Sequence, residues 1–227
     1  MKLKLIKKKE VAGIMTFIFS PQEKLEWKAG QYLRYRMDDP EADDRGNNRF
    51  FTIASSPLEN QVQLSTRIDP EKGSSFKKNL NDLTEGEEIE AVGPLGAFTL
   101  DDPSKQYVFI AGGIGITPFR AILTDLDRRN LPINVTLLYA NRDENLPFKE
   151  LFEKIAATHP EMKIHYVIDP EKIDVEEIKK AVPDFKTPIF YVSGPQPMVE
   201  AMEKTLAELG APVENIRHDS FPGYSVI

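Results

Sequence analysis

The chain has 227 residues, with 36 acidic and 29 basic side chains, a formal net charge of -7 and no cysteine. The absence of cysteine excludes disulfides, thiolate-held zinc or iron–sulfur centres and a cysteine nucleophile. The acidic balance argues against a nucleic-acid-binding protein.

The first half reads as short strands. Leu3 and Leu5 alternate with lysines, and Met15, Phe17 and Phe19 with Thr16, Ile18 and Ser20. Further β-rich runs are 32–36, 49–54 and 62–68, separated by turn residues such as Asp38-Asp39-Pro40 and Arg45-Gly46-Asn47-Asn48. Such punctuation predicts a sandwich or small barrel. One helix interrupts it at about 75–83, and 88–92 returns to strand. The lysines at positions 2, 4, 7, 8 and 9 read as a solvated strand edge. The sharper alternative is a docking patch for an acidic electron carrier.

From Leu100-Asp101-Asp102-Pro103 onward the pattern changes. Strands at 107–111, 135–140, 164–168 and 189–192 alternate with helices, marked by Phe119/Ile122/Leu123/Leu126, Phe148/Leu151/Phe152/Ile155, Val175/Ile178/Val182 and Val199/Met202/Leu206/Leu209. Gly210 stands where a glycine stops a helix, and 214–219 reads as a last strand. This is the pattern of a doubly wound parallel sheet. The expected domains are 1–101 and 102–227. The amino terminus lacks the apolar core of a signal peptide, and no run is long enough to span a membrane, so a cytoplasmic protein is expected. His159, His165 and His218 have no metal-site spacing.

Several loops carry chemistry. Gly112-Gly113-Ile114-Gly115-Ile116-Thr117-Pro118 joins the first strand of the α/β half to its helix. Glycines there let the backbone approach a ligand closely, and a helix amino terminus favours phosphate. Ser193-Gly194-Pro195-Gln196-Pro197-Met198 follows a later strand, so both loops are expected to face one crevice. In the first half, Arg49, Phe51 and Thr52 crowd one strand, and Gly73-Ser74-Ser75 opens the helix.

In chain order these elements resemble the ferredoxin–NADP⁺ reductase superfamily of FAD-dependent reductases. The matching pieces are Arg49-x-Phe51-Thr52 with Ser55-Ser56-Pro57, Gly73-Ser74-Ser75, Gly93-Pro94-Leu95-Gly96-x-Phe98, Gly112-Gly113-x-Gly115-x-Thr117-Pro118 and Ser193-Gly194-Pro195-x-x-Met198. The resemblance implies a Greek-key antiparallel β-barrel binding FAD, followed by an α/β domain binding NAD(P)H. It assigns Arg49 to the FAD pyrophosphate, Phe51 to the flavin and ribityl chain, and Thr52 to the hydride-accepting nitrogen. Ser65, Thr66 and Arg67 flank the cofactor, and Gly73, Ser74 and Ser75 take phosphate. Gly113, Gly115, Thr117 and Pro118 hold the nicotinamide nucleotide, and Ser193, Gly194, Pro195 and Met198 shape its nicotinamide side. Phe221 or Tyr224 is implied to shield the flavin face. Arg142, after the second strand of the α/β half, suits a 2′-phosphate, but Asp143 and Glu144 oppose that charge, so NADH against NADPH stays open.

Three departures stand out. Phe51 replaces the more usual Tyr, Ser193 the more usual Cys, and the end Asp219-Ser220-Phe221-Pro222-Gly223-Tyr224-Ser225-Val226-Ile227 is not the plant-type terminal Tyr. The implied activity is electron transfer from NAD(P)H to an external acceptor such as ferredoxin, flavodoxin or another redox protein. The alternatives are an electron-transfer subunit of a larger complex and a ferric or flavin reductase.

Overall fold

The computed structural model describes residues 1–221. The chain divides into two compact units, Met1–Thr99 and the part from Leu100 onward.

Unit 1 contains β1 (Lys2–Val11), β2 (Ile14–Pro21), β3 (Tyr32–Arg36), β4 (Asn48–Thr52), β5 (Val62–Thr66), α1 (Ser75–Asp82) and β6 (Glu88–Leu95). They form a six-stranded sheet in the order β4-β3-β6-β1-β2-β5, with every pairing antiparallel. Alternation works as the sequence implies: Leu3, Leu5, Phe17, Phe19, Leu33, Tyr35 and Ile89 turn inward, while Lys2, Lys4, Arg34 and Arg36 stay exposed. The expected strand 49–54 ends at Thr52, and the backbone changes partner at Ala54. The Ile53 N–H donates to the Gln31 carbonyl at 2.9 Å, and the Ala54 N–H to the Gln63 carbonyl at 2.7 Å. That second bond joins the two ends of the sheet order, which gives the sheet its barrel-like form. Phe76 and Leu80, one helical turn apart on α1, are buried in the same core.

Unit 2 contains β7 (Tyr107–Gly112), α2 (Thr117–Arg128), β8 (Val135–Asn141), α3 (Lys149–Thr158), β9 (Lys163–Ile168), α4 (Val175–Ala181), β10 (Ile189–Pro195), α5 (Gln196–Glu208) and β11 (Ile216–Phe221). The parallel sheet has the order β11-β10-β7-β8-β9. All six residues of β7 are buried, as a central strand covered on both faces requires. α2 lies on the Phe109 face, where Phe109 and Phe119 stack at 4.6 Å. α4 and α5 cover the other face, with Ile178, Val199, Met202 and Leu206 packed among Val108, Ile110 and Val192. The last strand begins at Ile216, two residues later than expected, because Val213–Asn215 form a 3₁₀ turn after Pro212.

The chain runs β7, β8, β9 toward one edge and then returns to place β10 on the other side of β7. The carboxyl ends of β7 and β10 therefore flank the switch point, where ligands bind in sheets of this kind.

Candidate functional site

In unit 1 the Arg49 side chain is buried, not on the surface. One terminal nitrogen donates to the carbonyls of Arg45 (2.7 Å), Gly46 (2.8 Å) and Asn48 (2.6 Å). The other lies 3.7 Å from Asp43 Oδ1, and the guanidinium carbon sits 5.5 Å from the centre of the Phe76 ring. Phe51 is half-buried on the same side, against Tyr35 and Phe76 at 5.8 and 6.1 Å between ring centres. Thr52 faces the opposite way and is 4% exposed. Its hydroxyl is buried with no hydrogen-bond partner among the described residues. A buried hydroxyl left unmade costs about 1–3 kcal/mol, so the position is one that an outside acceptor or donor would satisfy.

The other unit 1 candidates divide. Ser65 is buried, and its hydroxyl is engaged by Thr16 Oγ1 at 3.0 Å and by the Gln63 amide at 3.1 Å. Thr66 donates to the Arg67 carbonyl at 3.3 Å. That same carbonyl accepts from Lys77 Nζ at 2.9 Å. Gly73 has no room for a side chain: a Cβ there would lie 2.3 Å from the Asp69 carbonyl oxygen. Ser74 is the helix cap of α1, accepting from the Lys77 N–H at 3.3 Å. Ser75 is bound to a residue that sequence reasoning missed. The Ser75 N–H donates to Asp43 Oδ2 at 2.8 Å, and Ser75 Oγ accepts from the Asp43 N–H at 3.0 Å. Asp43 lies between the turn segments Asp38-Asp39-Pro40 and Arg45-Gly46-Asn47-Asn48, where no local pattern marks it.

In unit 2 the two loops meet. A Cβ on Gly112 would lie 2.2 Å from Met198 Sδ, and one on Gly115 would lie 2.3 Å from the Ser193 carbonyl oxygen. The lack of a side chain at these two glycines thus permits the close contact between the loops. Gly113 differs: its φ is +54°, with nothing within 4 Å of an added Cβ. Thr117 spends its proton on the Ile114 carbonyl at 3.1 Å, and Pro118 lies in the first turn of α2. Gly194 also lies against Gly112 and Met198, and Pro195 ends β10. Ser193 is fully buried, and its hydroxyl has no hydrogen-bond partner among the described residues. Arg142 is exposed just beyond β8. Phe221 pairs with Pro195 at the end of β11 and is partly buried, whereas Tyr224 lies outside the described residues.

Beside Ser193, at the same register on β11, stands Asp219. Burial pushes its carboxyl up to about 6, against a small opposing effect of His218. Sequence reasoning missed it, although an acid in a strand next to the sheet's switch point is a signal in itself.

Residues 109–204 match the family model described as the oxidoreductase NAD-binding domain. The chain is 27% identical over 95% of its length to a flavohemoprotein of Burkholderia sp. (strain TH2), covering 57% of that protein. Its fold matches the flavohem-like FAD/NAD-binding domain of nitric oxide dioxygenase from Vibrio cholerae with a TM-score of 0.84, at 20% identity and 98% coverage of both chains. The chain also shares the fold of the ferredoxin–NADP⁺ reductase from Plasmodium falciparum, with a TM-score of 0.82 at 18% identity over 97% of this chain and 95% of that one. Another relative is the 2-halobenzoate 1,2-dioxygenase electron transfer component of Burkholderia cepacia, 29% identical over 85% of this chain and 58% of that one. The chain spans little more than half the length of these curated relatives. Among the described residues no helix is long and apolar enough to cross a membrane.

Proposed function

We propose that this chain is an FAD-dependent NAD(P)H reductase: unit 1 binds FAD, unit 2 binds the nicotinamide nucleotide, and electrons pass to a separate acceptor. The observation that carries the reading is the Thr52 hydroxyl, buried and without a partner among the described residues, on the Arg49-x-Phe51-Thr52 strand. A polar atom of the flavin would satisfy it. FAD supplies the two-electron acceptance and one-electron release that no amino-acid side chain provides.

The chain's own residues bind and orient. Arg49, Gly73, Ser74 and Ser75 hold the diphosphate, Phe51 gives an apolar wall, and Thr52 orients the flavin. Ser65, Thr66 and Arg67 complete the strand beside the cofactor. Gly113, Gly115, Thr117 and Pro118 present the loop and helix start to the nucleotide phosphates, and Arg142 meets the ribose end. Ser193, Gly194, Pro195 and Met198 form the nicotinamide side. The similarity to a dioxygenase electron transfer component supports an acceptor on a separate redox protein. NAD(P)H as donor supports a cytoplasmic site of action.

The test is direct. Purified protein reconstituted with FAD is mixed anaerobically with NADH and with NADPH in separate stopped-flow runs. Bleaching of the flavin by either nucleotide is expected. A chain that takes up FAD but is reduced by neither is a binding module, and the reductase reading fails.

A further inference from the structure

The loop between β3 and β4, Met37–Asn47, is rich in carboxylates and folds back onto α1. Asp39 accepts from the Asn79 side-chain amide at 2.8 Å. Asp43 reaches the helix start itself. Its Oδ2 accepts from the Ser75 N–H at 2.8 Å and from Arg45 Nε and a terminal Arg45 nitrogen at 3.0 and 2.6 Å. Its Oδ1 accepts from the Arg45 N–H at 3.1 Å and lies 3.7 Å from Arg49. Burial opposes ionisation of Asp43, but the bonds from Arg45 and Ser75 outweigh it and keep its carboxyl below the usual range.

The cluster is rich in positive charge. Lys77, on the first turn of α1, is held below the usual lysine range by burial and then by repulsion from Arg49 and Arg45. Two arginines therefore share this carboxylate, with Lys77 close enough to both to feel their charge. An acid held by a helix N–H, the side chain and backbone of one arginine and the approach of a second has the donor set that phosphate oxygens take.

We propose that Asp43 is a built-in phosphate surrogate: its carboxylate occupies the anion position at the α1 start, and the diphosphate of FAD must displace it to bind. This rests on the FAD reading above. The surrogate keeps Arg45 and Arg49 ordered while no cofactor is present. It also sets the affinity, because binding must break the bonds of Asp43 before new ones form. A diphosphate carries more negative charge than one carboxylate, so the two arginines favour the exchange.

Asp43→Asn and Asp43→Ser keep a small polar side chain and remove the competing charge. Titration by flavin fluorescence should show either variant binding FAD at least tenfold more tightly than the wild type. Riboflavin, which lacks phosphate, should bind all three chains equally. Asp39→Asn, which loosens the same loop away from the cations, should change FAD affinity less than threefold. Hydrogen exchange on the wild type gives a readout independent of any variant: segment 38–47 should exchange faster when FAD is added. FAD affinity that is unchanged or weaker in the Asp43 variants, or slower exchange of that segment with FAD, overturns the surrogate role and leaves the cofactor reading intact. Failure of the wild type and the variants alike to bind FAD overturns the cofactor reading, and this inference with it.

Discussion

Thr52 and Ser193 pose the same question at the scale of a residue. Each places a hydroxyl in the protein interior and gives it no partner among the described residues. Replacing such a group by an apolar one of similar shape removes an unmet desolvation cost. Thr52→Val is therefore expected to leave the cofactor-free protein as stable as the wild type or up to about 2 kcal/mol more stable. The same variant should slow flavin reduction by roughly tenfold, the rate effect of one lost hydrogen bond of about 1.4 kcal/mol. Urea denaturation of the cofactor-free protein and stopped-flow reduction of the loaded protein check the two halves. A large loss of stability would mean that the hydroxyl is bonded after all.

Asp219 gives a pH prediction. Burial raises its carboxyl to about 6 in the folded chain, whereas an exposed aspartate ionises near 3.9. The folded state therefore binds the proton more tightly, and stability falls as pH rises from about 4 to about 6. Asp219→Asn removes that penalty. Thermal melts should show the variant gaining several degrees over the wild type at pH 7 and nothing at pH 3.5. A gain that does not depend on pH would show that the cause is packing, not ionisation.

At the scale of elements, the crossing of the loops after β7 and β10 decides the geometry of unit 2. The two glycines that allow it face different obstacles. At Gly115 an added Cβ meets the Ser193 backbone at 2.3 Å, and backbone held in a central strand cannot give way. At Gly112 the obstacle is Met198 Sδ, the flexible part of a side chain. Gly115→Ala should therefore cost about 3 kcal/mol, the upper range for overpacking, and Gly112→Ala about 1 kcal/mol. Met198→Ala should restore part of the loss at Gly112 and none at Gly115. Denaturant midpoints of the four chains test this order.

Much of this level was legible in the sequence. The spacing of Phe119, Ile122, Leu123 and Leu126 marks α2, and the apolar run 107–111 marks the central strand, because burial selects residues with the period of the element. What the sequence hid were exchanges of backbone partner. Nothing local says that Ile53 still bonds to Gln31 beside β3 while the next residue, Ala54, turns to Gln63 on β5, because the switch depends on how the two ends of the sheet meet.

For the molecule as a whole, the proposal concerns a ligand linked to folding. FAD at a hundredfold over its dissociation constant should stabilise unit 1 by about 2.7 kcal/mol. For a unit of this size that is a rise in melting temperature of more than ten degrees, at about 4–8 °C per kcal/mol. Differential scanning calorimetry across FAD concentrations measures it. A melting temperature that stays constant as FAD increases would contradict binding to the native state.

The sequence by itself determined the two-part architecture, the strand-rich first half, the alternating second half and the loops that punctuate them. It could do so because hydrophobic period and turn chemistry are local properties of the chain. The order of the loops also carried the superfamily resemblance. Only the tertiary structure decided how the candidate residues are engaged. It buried Arg49 against Phe76, tied Ser65 to Thr16, left Thr52 and Ser193 without a hydrogen-bond partner among the described residues, set Asp219 beside Ser193, and placed Asp43 at the start of α1. These are contacts between residues far apart in the chain, fixed by sheet register and by the packing of one loop on another, and no local pattern encodes them.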